Sequence, residues 1–556
     1  DLAVTVASGN ITQAGAFRVG GNASFDAGAG NIVLLNGGND FTGTVDLSGN
    51  AVLIADANVL DLGLVQAASL YARAATIGLD NDVSTSGDQE YDGAVVLGAD
   101  VTVSAGGNVA FDATVDGAHQ LSVQAGGAVD FGGAVGSTTA LAGLDVDAGS
   151  FSASSIDVSG DLAVTVAAGN ITQSGAFRVG GDASFDAGDG NIALTNAGND
   201  FAGTVDLRGG AAAIVDANTL ELGTVEVASL YAKAATIGLG SDVDTSGDQE
   251  YDGALQLRDD VTLTAGGNVA FDSTVDGAHQ LTVQAGGAVD FGGAVGATTA
   301  LAGLSVDAGG FNAASTVVVS GDMDVTVDAG NITQSGAFRV GGNASFDAGS
   351  GNITLANAGN DFAGPVDLRG NAVSIADANA LDLGTLAVNS LVASSGGALD
   401  LGHGSVAGAL SATTANNAIT QDGALSVGGT VTLQAGSGSI TLDNAGNDFA
   451  GVVNLDGGVA TIVDANGLVL GTLDLASLSA TAGGALSLGS GTIAGDLAAR
   501  SSIGGITQSG PLYVGGASLV DAGAASITLD NAGNDFVGPV ELRGGAVVIA
   551  DANALR

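Results

Sequence analysis

Two stretches of the chain carry acidic residues at the spacing of a calcium loop. Asp88, Glu90 and Asp92 precede Gly93, and Asp248, Glu250 and Asp252 precede Gly253. Carboxylates at positions one, three and five, with Gly at six, open a loop that wraps Ca2+, an ion that takes six to eight oxygens. The pattern then departs from such a loop. Glu is atypical at the third position, and the bidentate Glu of the twelfth is replaced by Ala99 in one copy and Asp259 in the other. Apolar runs, Ala94–Leu97 and Ala254–Leu257, follow at once. The plainer reading is therefore the beginning of a strand with solvated acids. These six residues are the candidate metal ligands, with calcium the one candidate cation and no other cofactor expected. Asp26, Asp186 and Asp347, at expected turn corners, are weaker cation positions, because stacked carboxylates repel one another and favour a counter-ion.

No catalytic constellation accompanies them. His119 and His279 are one repeat position seen twice, and His403 stands alone; none has the spacing of a metal-binding pair. Arg18, Arg178 and Arg339 form one periodic set, and Arg208, Arg369 and Arg543 another. Because they recur, periodic ion pairs with neighbouring Asp are expected rather than the single basic group of a polysaccharide lyase. Four of the five tyrosines, Tyr71, Tyr91, Tyr231 and Tyr251, are repeat pairs, which argues against a sugar groove. The chain is read as non-enzymatic.

The elements that position these residues repeat. Gly38-Asn39-Asp40-Phe41 returns with its Phe at 201, 362, 449 and 536, at intervals of 160, 161, 87 and 87 residues. Ile-Thr-Gln keeps the same step from Ile11 through Ile171, Ile332, Ile419 and Ile506. A catalytic pocket is made once per domain, whereas a feature made five times extends something. The expected units are 1–160, 161–321, 322–408, 409–495 and a partial unit 496–556, in one continuous array. Within each, Gly, Asn and other small residues punctuate the chain about every 20 residues, bounding short runs of period-2 alternation such as Ile192-Ala193-Leu194-Thr195. Gly density and Val/Thr content oppose helices. The expected fold is all-β, a parallel β-solenoid of about 20 residues per turn. At that length an 87-residue unit makes about four turns and a 160-residue unit about eight, the difference being whole turns inserted near 88–160 and 248–321. The chain would then hold about 27 turns and extend on the order of 130 Å.

Particular residues fit that expectation. Phe41, Phe201, Phe362, Phe449 and Phe536 are equivalent, as are Phe17, Phe177 and Phe338, and Phe25, Phe185 and Phe346; most are expected inside. The Asn before each Asp-Phe is expected at a corner, held by left-handed backbone or by side-chain hydrogen bonds. Pro365, Pro511 and Pro539 each follow Gly, where a missing N–H is tolerated.

Composition narrows the partners. The 556 residues include 94 Gly, no Cys and no Trp, and 59 acidic residues face 11 Lys and Arg for a net charge of −48. Nucleic acid is excluded as a partner, since its recognition uses Lys and Arg on phosphates. The absence of Cys removes disulfides and zinc thiolates, and no apolar run is long enough for a membrane span. The chain opens at Asp1, matching Asp161, and closes inside the fifth unit, so a fragment of a longer protein is expected.

Taken together, Gly-Asn-Ile-Thr-Gln-Ser-Gly-Ala-Phe (169–177), Asn-Ala-Gly-Asn-Asp-Phe (196–201), Val-Asp-Ala-Asn (215–218) and Thr-Val-Asp-Gly-Ala (274–278) resemble the repeat regions of large secreted bacterial adhesins. These are the filamentous-haemagglutinin-like proteins of two-partner secretion and related autotransporter passengers. The resemblance covers essentially the whole chain. It implies a right-handed parallel β-helix, secreted to the surface of a Gram-negative cell and acting as an adhesin stalk. The partners implied are other copies, matrix components, or a host or neighbouring-cell surface. A self-assembling filament subunit and a carbohydrate-binding or lyase-like β-helix are the alternatives.

Overall fold

A computed structural model describes residues 1–328 and 330–556. These form two compact units, Asp1–Ser273 and Thr274–Arg556. Each is a parallel β-solenoid, and every pairing recorded between their strands is parallel. No helix is long and apolar enough to cross a membrane among the described residues.

The alternation of the sequence becomes the wall of the solenoid. In Leu162–Val166 the residues Leu162, Val164 and Val166 are buried, while Ala163 and Thr165 face outward. Successive side chains of a strand point to opposite faces, so one short run lines the core and decorates the surface together. Each turn carries three such strands. Leu399–Asp400, His403–Val406 and Leu410–Thr414 stack under Ile419–Thr420, Leu425–Val427 and Val431–Gln434 of the next turn. Three parallel sheets therefore enclose a core of Val, Leu, Ile and Phe.

Aromatic rings stack at the strand spacing inside the first unit. Tyr91 and Phe111 lie 4.9 Å apart at 8°, and Phe111 and Phe131 4.9 Å apart at 4°. Tyr251 and Phe271 repeat the arrangement at 5.5 Å. The five Phe of the Asn-Asp-Phe series are all buried, as are Phe25, Phe185, Phe346, Phe177 and Phe338; Phe17 is half-buried. The prolines sit where expected, immediately before the strands that begin at Val366, Leu512 and Val540.

Strand register measures the repeats in turns. In the first unit the core stack runs Phe25, Leu47, Val65, Val83, Val103, Val123, Val146, Val164, Phe185. The long repeat is thus eight whole turns, and Phe185 returns to the face of Phe25. In the second unit the stack from Phe346 runs Leu368, Leu386, Gly404, Leu425. After four turns it meets Leu425, whose counterpart in the preceding repeat is Phe338, not Phe346. The true counterpart of Phe346, Leu433, stands instead on the column Leu355, Ile375, Ala393, Ala412. The next repeat does the same, with Leu433 leading through Leu455, Leu473 and Gly491 to Leu512. A short repeat is therefore four turns and one further face. The expectation that long and short repeats differ by whole turns is corrected, because the 87-residue step ends one strand beyond a closed turn.

Candidate functional site

Four of the candidate calcium residues, Glu90, Asp92, Glu250 and Asp252, lie on strands rather than in a loop, and Asp88 and Asp248 immediately precede those strands. Gln89–Leu97 begins directly after Asp88. Gln89 and Tyr91 point into the core, and Glu90 and Asp92 point outward with one residue between them. Asp88 Oδ1 accepts the Asn108 N–H of the next turn at 2.7 Å, and Asp248 Oδ1 accepts that of Asn268 at 2.7 Å. Asp92 accepts the Tyr71 hydroxyl at 2.9 Å and lies 3.4 Å from Arg73 Nε. Asp252 accepts the Tyr231 hydroxyl at 3.2 Å and Lys233 Nζ at 2.5 Å. That lysine contact, ahead of the tyrosine bond, holds the Asp252 carboxyl below its ordinary pKa against the opposing effect of desolvation. Glu90 and Glu250 are exposed at the same register position. Desolvation, then the charges of Asp112 and Asp92, raise the Glu90 pKa. Among the described residues of either unit taken by itself, no three His, Asp or Glu side chains bring ligand atoms within 4.8 Å of one another.

The corner carboxylates serve the backbone. Asp26, Asp186 and Asp347 each accept the N–H two residues on, from Gly28, Gly188 and Gly349. Those glycines take φ near +55°, where a side chain is strained. The left-handed residue of the repeat is therefore this Gly and not, as one of the two sequence expectations had it, the Asn before Asp-Phe, which keeps a negative φ in every copy. Elsewhere Asp and Asn at strand starts accept the N–H of the next turn. Asp82 does so for Thr102, Asp100 for Gln120, Asp182 for Thr204 and Asp322 for Asn343, at 2.8–3.0 Å.

The two arginine sets divide. Arg208, Arg369 and Arg543 lie 3.6, 2.9 and 4.0 Å from Asp186, Asp347 and Asp521, one turn back, so this set is the periodic ion pair expected. Arg18, Arg178 and Arg339 stand in register with Asp40, Asp200 and Asp361. Among the described residues, none of the three has a carboxylate within the 4.0 Å of an ion pair, which corrects the expectation for that set. His119 and His403 are surface residues beside Asp100 at 3.5 Å and Asp422 at 3.1 Å. Tyr91 and Tyr251 are wholly buried, each donating its hydroxyl to the neighbouring Gln89 or Gln249, and burial pushes both phenols up.

The motifs that recur five times meet inside the solenoid. Asn39, Asn199, Asn360, Asn447 and Asn534 are completely buried. Asn360 Nδ2 donates to the carbonyls of Leu355 and Ala376 at 2.9 and 3.1 Å and to Gln334 Oε1 at 2.9 Å. Its Oδ1 accepts Gln334 Nε2 at 2.9 Å and the Phe338 N–H at 2.8 Å. The glutamine is that of Ile-Thr-Gln, and the reciprocal amide pair, always 26 residues apart, is present in all five copies. A third group completes it. Asp377 Oδ2 accepts the Phe362 N–H at 2.8 Å, and its Oδ1 accepts that of Asn379 at 2.6 Å. Asp56, Asp216 and Asp464 do the same. Desolvation raises the pKa of Asp216, Asp377 and Asp464 against the lowering effect of these bonds. No role for this Gln or Asp follows from their neighbours in sequence. Their signal was the constant 26-residue step from Gln to Asn and the constant 17-residue step from Asn to Asp in every copy.

One family profile follows this architecture. Described as repeats of unknown function (DUF5649), it matches residues 1–48, 137–208, 278–369, 388–456 and 476–543, more than half of the chain. The chain belongs to that family. Each of the five DUF5649 matches contains one Gly-Asn-Asp-Phe. The stretches between matches, 49–136 and 209–277, are long within the two 160-residue repeats and short within the 87-residue ones, so much of the extra length lies outside the DUF5649 matches, while 137–160 and 278–321 fall inside them. No curated protein and no solved structure matches the chain.

Proposed function

We propose that the chain is structural and adhesive rather than enzymatic. It is the repeat shaft of a large exported surface protein of a Gram-negative bacterium, of the two-partner-secretion type. The shaft holds a distal binding region away from the cell and supports attachment to other cells, surfaces or a biofilm matrix. Its partners are further copies, matrix components or a neighbouring cell surface, and it needs no resident cofactor. One observation carries this reading: the buried Asn of all five copies and the buried Asp of four are taken up, with the half-buried Gln, by hydrogen bonds from one turn to the next. What recurs is thus the means of stacking one turn on the next, and repetition of turns is what lengthens a solenoid. The acidic surface supports it too, since like charge keeps such a protein soluble and discourages lateral pairing.

Negative-stain electron microscopy with and without Ca2+ tests the proposal. A thin rod of on the order of 130 Å is expected in both conditions. A compact globule would overturn it. Rods that bundle only with Ca2+ would favour a cation-dependent filament or matrix subunit, with Asp88, Glu90, Asp92, Asp248, Glu250 and Asp252 the first residues to replace.

A further inference from the structure

We propose that repeat length sets the direction in which each repeat faces. Long repeats then present an array on one side, for a partner fixed on a flat surface, while short repeats turn the same surface around the axis. The evidence is the register within each compact unit. Ser24 and Ser184 are equivalent outward residues of the first unit, eight closed turns apart on one face. At one strand spacing per turn their separation is about 38 Å. Ser345, Thr432 and Leu519 are the equivalent outward residues of the second unit. They occupy three different columns, each repeat having advanced by one face. Three short repeats, thirteen turns, are needed to restore a face.

The consequence is one of valency. Linked sites gain avidity only where geometry lets them engage together. Receptors on a flat surface meet consecutive long repeats at once, but only every third short repeat. The long form therefore suits a layered, immobile partner, and the short form suits soluble partners arriving from any side. This holds for a shaft, for a filament subunit or for any other use of the fold.

The absence of native Cys allows a direct test on the full chain. Three double variants are labelled with desthiobiotin through a short linker: Ser24→Cys with Ser184→Cys, Ser345→Cys with Ser426→Cys, and Ser345→Cys with Thr432→Cys. Ser426 lies four turns above Asp347 on the face of Ser345, whereas Thr432 lies on the next face. Dissociation is followed from a flat layer of monomeric avidin, with each single-Cys chain as reference and circular dichroism confirming an unchanged fold. The two same-face pairs are expected to leave at least about tenfold more slowly than single labels. The Ser345/Thr432 pair is expected to stay within about twofold of them. Equal retention of the two Ser345 pairs, or no gain for Ser24/Ser184, would overturn the proposal.

Discussion

Replacing Asn360 by Ala should open the solenoid locally and deeply. The side chain is completely buried and makes the five contacts described above, to the carbonyls of Leu355 and Ala376, to both polar atoms of Gln334 and to the Phe338 N–H. Alanine restores none of them, and the Phe338 N–H loses the amide oxygen to which it donates at 2.8 Å. A buried polar group left without a partner costs about 1–3 kcal/mol. Gln334 is only half-buried, so water recovers part of its share. The Phe338 N–H and the two carbonyls lie inside, giving about 3–6 kcal/mol in all. A solenoid of stacked turns need not unfold in one step, so a single global melting temperature is the wrong readout. Hydrogen exchange resolved by peptide is the right one. Amides of 334–377 should exchange about 10²- to 10⁴-fold faster, with those near Phe111 unchanged. The exposed Asn50→Ala serves as control, since surface changes fall within about 0.5 kcal/mol. If Asn360→Ala exchanges like Asn50→Ala, the amide network is not what joins these turns. If the loss is equal along the whole chain, the stacking is not local.

Mild acid should stabilise the protein before strong acid unfolds it. Asp216, Asp377 and Asp464 have folded-state pKa values raised by desolvation, so the folded chain binds their protons more tightly and stability increases as pH falls from 7 through those values. Asp252 has the opposite sign: its contribution is present above the ordinary Asp pKa and is lost as pH falls through its lowered folded value. Denaturant midpoints should therefore rise as pH falls from 7 towards the ordinary Asp value of about 3.9 and fall at lower pH; a steady decline from pH 7 downward would contradict this. Gly188→Ala should cost more than Gly28→Ala. Both have φ of +55°, which costs about 1–2 kcal/mol for a side chain. At Gly188 the new Cβ would also meet the Ala167 carbonyl oxygen at 2.8 Å, whereas at Gly28 the nearest atom is 3.7 Å away. Equal loss of local exchange protection in the two variants would show that the backbone approach is relieved at no cost.

What could be read from the residues alone follows the physics of each feature. Fold class was legible because strand alternation and a 20-residue period are written in adjacent residues, as in Ile192–Thr195. The burial of the Phe columns was legible for the same reason. The acids were harder. Asp88, Glu90 and Asp92 look like a ligand set when only neighbours in sequence are considered. Their real partners, Asn108 for Asp88 and Tyr71 and Arg73 for Asp92, are a full turn away. In a solenoid the contacts of a side chain lie about 20 residues distant, so a motif spaced for one loop says little about what its members touch. The Gln–Asn–Asp network was hidden by the same distance, although its fixed steps were countable. The phase of the repeats was harder still. Dividing 87 by 20 leaves a remainder of seven residues, which looks like scatter in turn length. Only the pairing of Gly404 with Leu425, and of Ala412 with Leu433, turns that remainder into a whole strand. Seven or eight residues are one side of a three-sided turn, whereas the smaller differences between turns, such as 18 residues from Leu47 to Val65 and 23 from Val123 to Val146, are absorbed at corners without changing the column. The repeats followed above are whole numbers of sides, and whether that number is divisible by three decides whether the repeat keeps its face or gives it up.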